Sequence, residues 1–345
     1  VFGAIIAYGS PQLDRLLAGH FALSYFFLLP LTLLLLQATL TGRRWLFWWA
    51  GLLLTVFAAA YLHPYYLPLL VLLIAIYTIS YCFCTSRMAV VKTLMILAGA
   101  ALLLPLFQLT VSTPHSDSRV AVPYGFEVYR AGWQGFFWPE YLPTPDSALY
   151  SLEGITYLGW WAVPFLITMV IWGAAKALKL KRLHALLMPF DEPLANAALL
   201  TGMPFILLAT GDILIALVNQ FPDAFEGLRQ FRALGRFGWP VHFLWSLAAV
   251  YALFRGFRWL LQKGSLLWAV ALVVTALLFS ITETRQHLQP LRQRIAETAA
   301  DCPAYNFLHP DNNYTQWLAS EGYRPDSFAA IIALPYFHTG TEKYY

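Results

Sequence analysis

The chain has 345 residues, of which 59% are hydrophobic and only 12% are charged. Soluble domains carry about 25% charged residues, so this composition excludes an ordinary soluble domain and favours a protein with many membrane-spanning helices. The formal net charge of +4 comes without a basic tail or a block of basic residues, so nothing in the charge indicates nucleic-acid binding.

Apolar segments recur along most of the chain. A spanning helix needs roughly 20 consecutive apolar residues. Eight segments approach or reach that length, at residues 20–40, 46–62, 66–84, 93–111, 158–175, 199–218, 239–255 and 265–282. They predict an all-α polytopic membrane protein with about eight transmembrane helices, in a domain that covers residues 1–282.

The loops between these segments predict an orientation. Eleven basic residues follow the first, third, fifth and seventh segments: Arg43, Arg44, Arg87, Lys92, Lys176, Lys179, Lys181, Arg182, Arg255, Arg258 and Lys263. Short basic loops stay in the cytoplasm, so we expect these four loops on the cytoplasmic side of the membrane. The loops 112–157 and 219–238 and the C-terminal region 283–345 are then extracytoplasmic.

The C-terminal region has the pattern of a small, truncated α/β element. The stretch "PLRQRIAETAADC" is typical of an amphipathic helix, and "DNNYTQWLASEG" of a second helix that ends at Gly322. The stretch "FAAIIALPYF" is typical of a strand. The chain also starts at Val1 without a signal sequence, so we expect it to be part of a longer protein.

Arginines are concentrated just before the seventh segment. Arg229, Arg232 and Arg236 share one face if this stretch is helical, and Trp239 follows them. Guanidinium groups bind phosphate through paired hydrogen bonds and stay charged, so Arg232 and Arg236 are candidates for binding the phosphate of a lipid-linked substrate. The alternative is an interfacial anchor, with the arginines at lipid headgroups and Trp239 in an aromatic belt.

Asp212 falls inside the sixth predicted segment. A carboxylate within a span costs about 2.5–3.5 kcal/mol on insertion scales, so it is a functional candidate by default. We expect its partner to be an arginine of an outer loop, or His63. The alternative is a protonated or water-reached carboxyl group that packs helices together.

Further candidates lie at the predicted outer ends of the segments. His20, His63, Tyr65 and Glu153 are placed to contact a sugar or a phosphate. The alternatives are a histidine at a helix start, belt aromatics in a tight hairpin and a solvated acid. No phosphate-binding loop, dinucleotide-binding motif or metalloprotease motif is present, and the three cysteines make no metal pattern. The sequence therefore assigns no cofactor.

Several stretches taken together resemble a known group of proteins. "AGHFALSYFFLLPLTLLL", "LHPYY", "LEGITYLG", "FRALGRFGWPVHF" and "IIALPYFHTGTEKYY" resemble a family of bacterial multi-pass inner-membrane proteins. That family is similar in layout to the GT-C superfamily of membrane glycosyltransferases.

The resemblance implies an extracytoplasmic active site and a polyprenyl-phosphate sugar donor. It also implies a catalytic acid in the first outer loop, which would lie before Val1, and it is compatible with a divalent metal ion. We therefore expect transfer of a sugar to an envelope glycan, lipid or protein, with the lipid-linked donor and membrane lipids as partners. The alternative is a non-enzymatic flippase for lipid-linked glycans or an envelope-assembly protein.

Overall fold

The computed structural model describes residues 2–13, 15, 21–85, 90–111, 126–137, 156–182, 184–222, 231, 233–300, 320 and 322. Within these ranges the regular structure is helical, without a strand. The helices are α1 (Phe2–Tyr8), α2 (Leu28–Thr41), α3 (Trp45–Leu62), α4 (Tyr66–Cys84), α5 (Val90–Thr110), α6 (Gln134–Phe137), α7 (Val163–Leu180), α8 (His184–Leu187), α9 (Pro193–Thr210), α10 (Asp212–Gln220), α11 (Trp239–Gln262) and α12 (Leu266–Ala300).

The described helices confirm an all-α, multi-pass membrane protein. Seven of them are long and apolar enough to cross a membrane, namely α3, α4, α5, α7, α9, α11 and α12. Helix α2 is equally apolar but has only 14 residues. The first predicted segment, residues 20–40, therefore does not form a full-length spanning helix. The orientation in the membrane stays a prediction.

Three helices form the centre of the bundle. Helices α4, α9 and α11 bury half or more of their residues inside the protein, and α9 packs against both of the others. Helices α3, α5, α7 and α12 bury about a fifth or less and expose large apolar side chains. Because such surfaces avoid water, the outer helices are suited to contact with lipid.

The two ends of the bundle differ in chemistry. At one end, which we call the basic end, Lys92 donates a hydrogen bond to the Leu40 carbonyl (2.7 Å). At the same end Asp191 bridges Lys176 (3.6 Å) and Arg255 (3.2 Å). The successive helices run up and down, so the turns α3–α4 and α9–α10 and the start of α11 lie at the opposite end. We call this the polar end.

The structure corrects several predicted boundaries. The sixth span ends at Thr210, because Gly211 adopts a left-handed conformation (φ 75°) that stops α9, so the predicted segment 199–218 is wrong. The last span and the following amphipathic helix form one continuous helix, α12.

Gly322, in the C-terminal region, has the left-handed φ of 82° expected after a helix. The predicted strand lies outside the described residues.

Close packing of α9 on α11 depends on a glycine. A Cβ atom at Gly202 would lie 2.0 Å from Nε1 of Trp245, which donates a hydrogen bond to the Leu199 carbonyl (3.2 Å). We expect Gly202→Ala to displace the indole and lower the free energy of unfolding by about 1–3 kcal/mol. Denaturant unfolding in detergent, followed by tryptophan fluorescence, measures this change.

Gly51→Ala is the matched control within a spanning helix. A Cβ atom there would meet only the Leu35 side chain, at 4.0 Å. We expect its free energy of unfolding to stay within about 0.5 kcal/mol of wild type or to rise slightly. An equal loss in both variants would contradict the packing argument.

Candidate functional site

A group of polar and aromatic side chains lies inside the polar end of the bundle. We call it the polar cluster, and it consists of Gln12, Arg15, Tyr65, Tyr66, Arg236 and Trp239. Each of three chain segments supplies two of these residues. The segments are the stretch after α1, the turn between α3 and α4, and the start of α11.

Gln12 and Tyr66 connect the first segment to α4. Both side chains are fully buried. The Gln12 amide donates to the Tyr66 hydroxyl (3.0 Å) and to the Leu23 carbonyl (3.3 Å). Tyr66 in turn donates to the same carbonyl (2.9 Å). These bonds fix the N-terminal segment against the central helix and so determine where Arg15 lies.

Two arginines bring positive charge into this end of the bundle. Arg15 is only 1% exposed, and its Cζ lies 5.9 Å from the centroid of the Trp239 ring. Arg236 is half-buried, and its Cζ lies 4.9 Å from the centroid of the Tyr65 ring. Both distances are within the range of cation–π attraction. Because guanidinium groups do not deprotonate in proteins, both side chains carry a positive charge at this end of the bundle.

The backbone before α11 differs from the prediction. Ala233 has φ −138° and ψ 84°, and residues 234–238 form a 3-10 helix. A continuous helix from Arg229 to Arg236 is therefore wrong. The Tyr65 hydroxyl donates a hydrogen bond to the Ala233 carbonyl (2.6 Å), which holds this segment against the α3–α4 turn. Arg229 and Arg232 lie outside the described residues.

Buried polar atoms in and beside the cluster lack hydrogen-bond partners. They are Nε1 of Trp239, Oε1 of Gln12 and Oγ1 of Thr156, and none has a partner within the described part of the chain. Thr156 lies against the start of α11, because a Cβ atom at Gly238 would be 2.3 Å from its Oγ1. Buried unsatisfied polar groups are uncommon and cost about 1–3 kcal/mol each, so these atoms single out this part of the polar end as the candidate site.

A buried carboxylate supports the segment that carries Thr156. Glu283 of α12 is 7% exposed. It accepts hydrogen bonds from the Tyr157 hydroxyl and from the backbone amides of Trp160 (2.9 Å) and Trp161 (3.2 Å). Three donors satisfy this carboxylate well. The Glu283 carboxylate therefore holds this segment in position and is not free to act as a base.

His242 connects the same segment to α1. Its ring nitrogens lie 2.8 Å from the Tyr157 carbonyl oxygen and 2.9 Å from the Ile6 carbonyl oxygen. The imidazole is buried. Helices α1, α11 and α12 and the segment 156–161 are thereby joined through Tyr157. Sequence reasoning missed Glu283 because the predicted last span ended at residue 282 and left the acid in the tail.

Asp212 lies at the start of α10 and not within a span. Its carboxylate is 63% exposed and pairs with Arg130 (2.6 Å). The predicted position inside a membrane-spanning helix is therefore wrong, although the partner is an arginine, as expected, from the segment between α5 and α6. An exposed pair of this kind contributes little to stability. His63, the other predicted partner, accepts a hydrogen bond from the Tyr65 amide (3.1 Å).

The remaining candidates divide between buried and undescribed positions. Trp239 is fully buried, so it does not belong to an aromatic belt at the membrane surface. His20, Glu153 and Arg232 lie outside the described residues. Among the described residues, no group of three or more histidines, cysteines or acids is arranged to hold a metal ion.

Comparison with known proteins shows the family. A family model described as a domain of unknown function (DUF6311) matches residues 1–279. The chain belongs to this family. The matched region includes the whole polar cluster and ends before Glu283. No curated protein and no solved structure matches the chain.

The Glu283 contacts generate a testable prediction. Glu283→Gln replaces one accepting oxygen by an amide group that cannot accept from a backbone N–H. We expect the free energy of unfolding to fall by about 1.5–3 kcal/mol, the range for hydrogen bonds to charged groups. Hydrogen exchange should also become faster at the amides of Trp160 and Trp161.

Arg285→Gln serves as the control, since Arg285 is exposed on the same helix. It should leave both the unfolding curve and the exchange rates close to wild type. If the amides of Trp160 and Trp161 exchanged as slowly in Glu283→Gln as in this control, the carboxylate would not be the group that holds the segment 156–161.

Proposed function

We propose that the polar cluster binds the phosphate of a lipid-linked sugar and that the chain is a membrane glycosyltransferase of the GT-C type. In this proposal the protein lies in a bacterial inner membrane with the polar end outside. The single observation that carries the proposal is the stacking of Arg15 on Trp239, whose N–H has no partner in the described chain, at the same end of an apolar bundle as Arg236 and Tyr65.

The chemistry of the cluster favours a phosphate ligand. Two guanidinium groups attract an anion, and the indole N–H of Trp239 is one further donor for its oxygens. The unpartnered Oε1 of Gln12 needs a donor, which a sugar hydroxyl supplies. A ligand with both a phosphate and hydroxyl groups therefore offers an acceptor to the Trp239 N–H and a donor to Oε1 of Gln12.

The surroundings of the cluster favour a lipid-linked ligand. Helices α3 and α5 end at the polar end and expose large apolar side chains there, including Tyr61, Leu62, Leu106 and Leu109. The rings of Tyr61 and Phe107 contact each other at a centroid distance of 5.4 Å. A prenyl chain can lie along such a surface within the bilayer while its phosphate reaches the arginines.

The proposed reaction is displacement at the anomeric carbon of the donor. The acceptor hydroxyl forms a new C–O bond, the bond from that carbon to the phosphate oxygen breaks, and the acceptor proton passes to a base. Negative charge grows on the leaving phosphate, where Arg15 and Arg236 stabilise it. No described residue is given the role of that base.

The distribution of ionisable groups favours this reading over a flippase. The buried arginine, histidine and glutamate of the described residues, Arg15, His242 and Glu283, all lie at the polar end. A transport path needs polar groups along the depth of the membrane. In the described part of the chain, the other buried polar side chains of the spanning helices are mostly hydroxyls.

Removing one guanidinium tests the ligand assignment. We expect Arg236→Gln to weaken binding of polyprenyl phosphate by about 10- to 100-fold, because a charge-assisted hydrogen bond contributes about 1.5–3 kcal/mol. Titration of the purified protein in lipid nanodiscs, read by native mass spectrometry, gives the dissociation constant. Sugar transfer from a polyprenyl-phosphate donor by the full-length protein with the same replacement should fall in parallel.

Arg258→Gln is the matched control for this measurement. Arg258 is also stacked on an aromatic ring, that of Phe254 (5.8 Å), but belongs to the basic end. It should bind polyprenyl phosphate as the wild type does. Equal loss in both variants would argue against a phosphate site at the polar cluster. Tight binding without any sugar transfer by the full-length wild-type protein would favour the flippase.

The indole N–H of Trp239 provides a second test. Replacing Trp239 by the isostere benzothienylalanine keeps the ring and removes the unpartnered donor. We expect binding of polyprenyl phosphate to weaken, whereas the free energy of unfolding stays unchanged or rises, because an unsatisfied buried donor is removed. Denaturant unfolding without ligand and the nanodisc titration measure the two effects.

The same replacement at Trp245 should behave in the opposite way. Its indole N–H already donates to the Leu199 carbonyl (3.2 Å). Removing that donor should lower the free energy of unfolding by about 0.5–1.5 kcal/mol and leave ligand binding intact. If the Trp239 variant also lost stability and kept its affinity, its N–H would serve the fold and not a ligand.

A further inference from the structure

The chain reverses direction sharply after α7. Lys181 adopts a left-handed conformation (φ 52°, ψ 38°), and the short helix α8 folds back along α7. The two backbones approach so closely that a Cβ atom at Gly173 would lie 2.5 Å from the Leu186 carbonyl oxygen. Residues 178–182, which we call the hairpin tip, therefore project from the basic end.

The hairpin tip carries three exposed cations. Lys179, Lys181 and Arg182 make no ion pair within the described part of the chain. Asp191, on the loop before α9, is already bound to Lys176 and Arg255. The positive charge of the tip is thus available to an external anion.

Apolar side chains accompany these cations. Leu178 is 80% exposed, and Leu180, Leu186 and Leu187 are also exposed. Leucines exposed to this extent beside lysines are unfavourable in water but suit the boundary between headgroups and acyl chains. Lysine and arginine side chains reach headgroup phosphates from such a position while their stems stay in apolar surroundings.

We propose that the hairpin tip, together with α8, binds the headgroups of anionic phospholipids at the membrane surface. Charge complementarity decides the occupant, because three cations that lack ion pairs in the described chain match an anionic headgroup and the adjoining leucines match its acyl chains. This site is separate from the polar cluster at the other end of the bundle, and it does not depend on the proposed function.

Lipid selectivity of the purified full chain tests this proposal. Native mass spectrometry in a neutral detergent gives dissociation constants for phosphatidylglycerol and phosphatidylcholine. We expect the wild type to prefer phosphatidylglycerol. The double variant Lys179→Gln/Arg182→Gln should bind phosphatidylglycerol roughly 25-fold more weakly, at about fivefold per cation, and phosphatidylcholine as before. Both replaced side chains are exposed, so folding is expected to be unaffected.

The control variant Arg285→Gln/Arg292→Gln removes the same charge from exposed positions on α12. It should retain the affinity of the wild type for phosphatidylglycerol. An equal loss in this control, or no loss in the hairpin variant, would overturn the proposal. Complete displacement of phosphatidylglycerol by millimolar inorganic phosphate would also overturn it, since the site would then recognise a small anion and not a lipid.

Discussion

The buried guanidinium of Arg15 against Trp239 is the interaction on which the polar end depends. A charge taken out of water costs several kcal/mol unless its surroundings offset the loss. The hydrogen bonds among Gln12, Tyr66 and the Leu23 carbonyl hold the segment that carries it. These neutral hydrogen bonds therefore place the segment that brings the guanidinium of Arg15 against Trp239.

This arrangement places the buried ionisable side chains and the exposed basic side chains at opposite ends of the molecule. The apolar central helices provide stability, and the described buried arginine, histidine and glutamate are confined to one end. The opposite end carries exposed lysines and arginines that need no burial. An anion bound at the basic end would contact exposed side chains, whereas an anion bound at the polar end would contact buried ones. Only the interior excludes enough water for electrostatic stabilisation of a reaction to be large.

Composition predicted the helices well, because long apolar runs have few alternatives to spanning a membrane. Side-chain placement was harder to predict. Asp212 lies beyond its predicted span because Gly211 ends α9, and a helix through Arg236 is interrupted at Ala233, whose carbonyl is held by Tyr65. Glu283 and Gln12 act through contacts distant in sequence, which periodicity alone does not reveal. Arg236 was a candidate from the sequence because it lies beside an apolar run, and its role stays a prediction.

Stability and ligand binding make opposite demands on the start of α11. Gly238 brings Thr156 close, and Glu283 and His242 hold the adjoining segment through Tyr157, so this region is rigid before any ligand arrives. Rigidity of this kind lowers the entropy lost on binding. Within the described residues, the Trp239 N–H has no hydrogen-bond partner in this rigid region. Local inconsistencies of this kind concentrate at functional or strained positions, which is why the start of α11 is the candidate region.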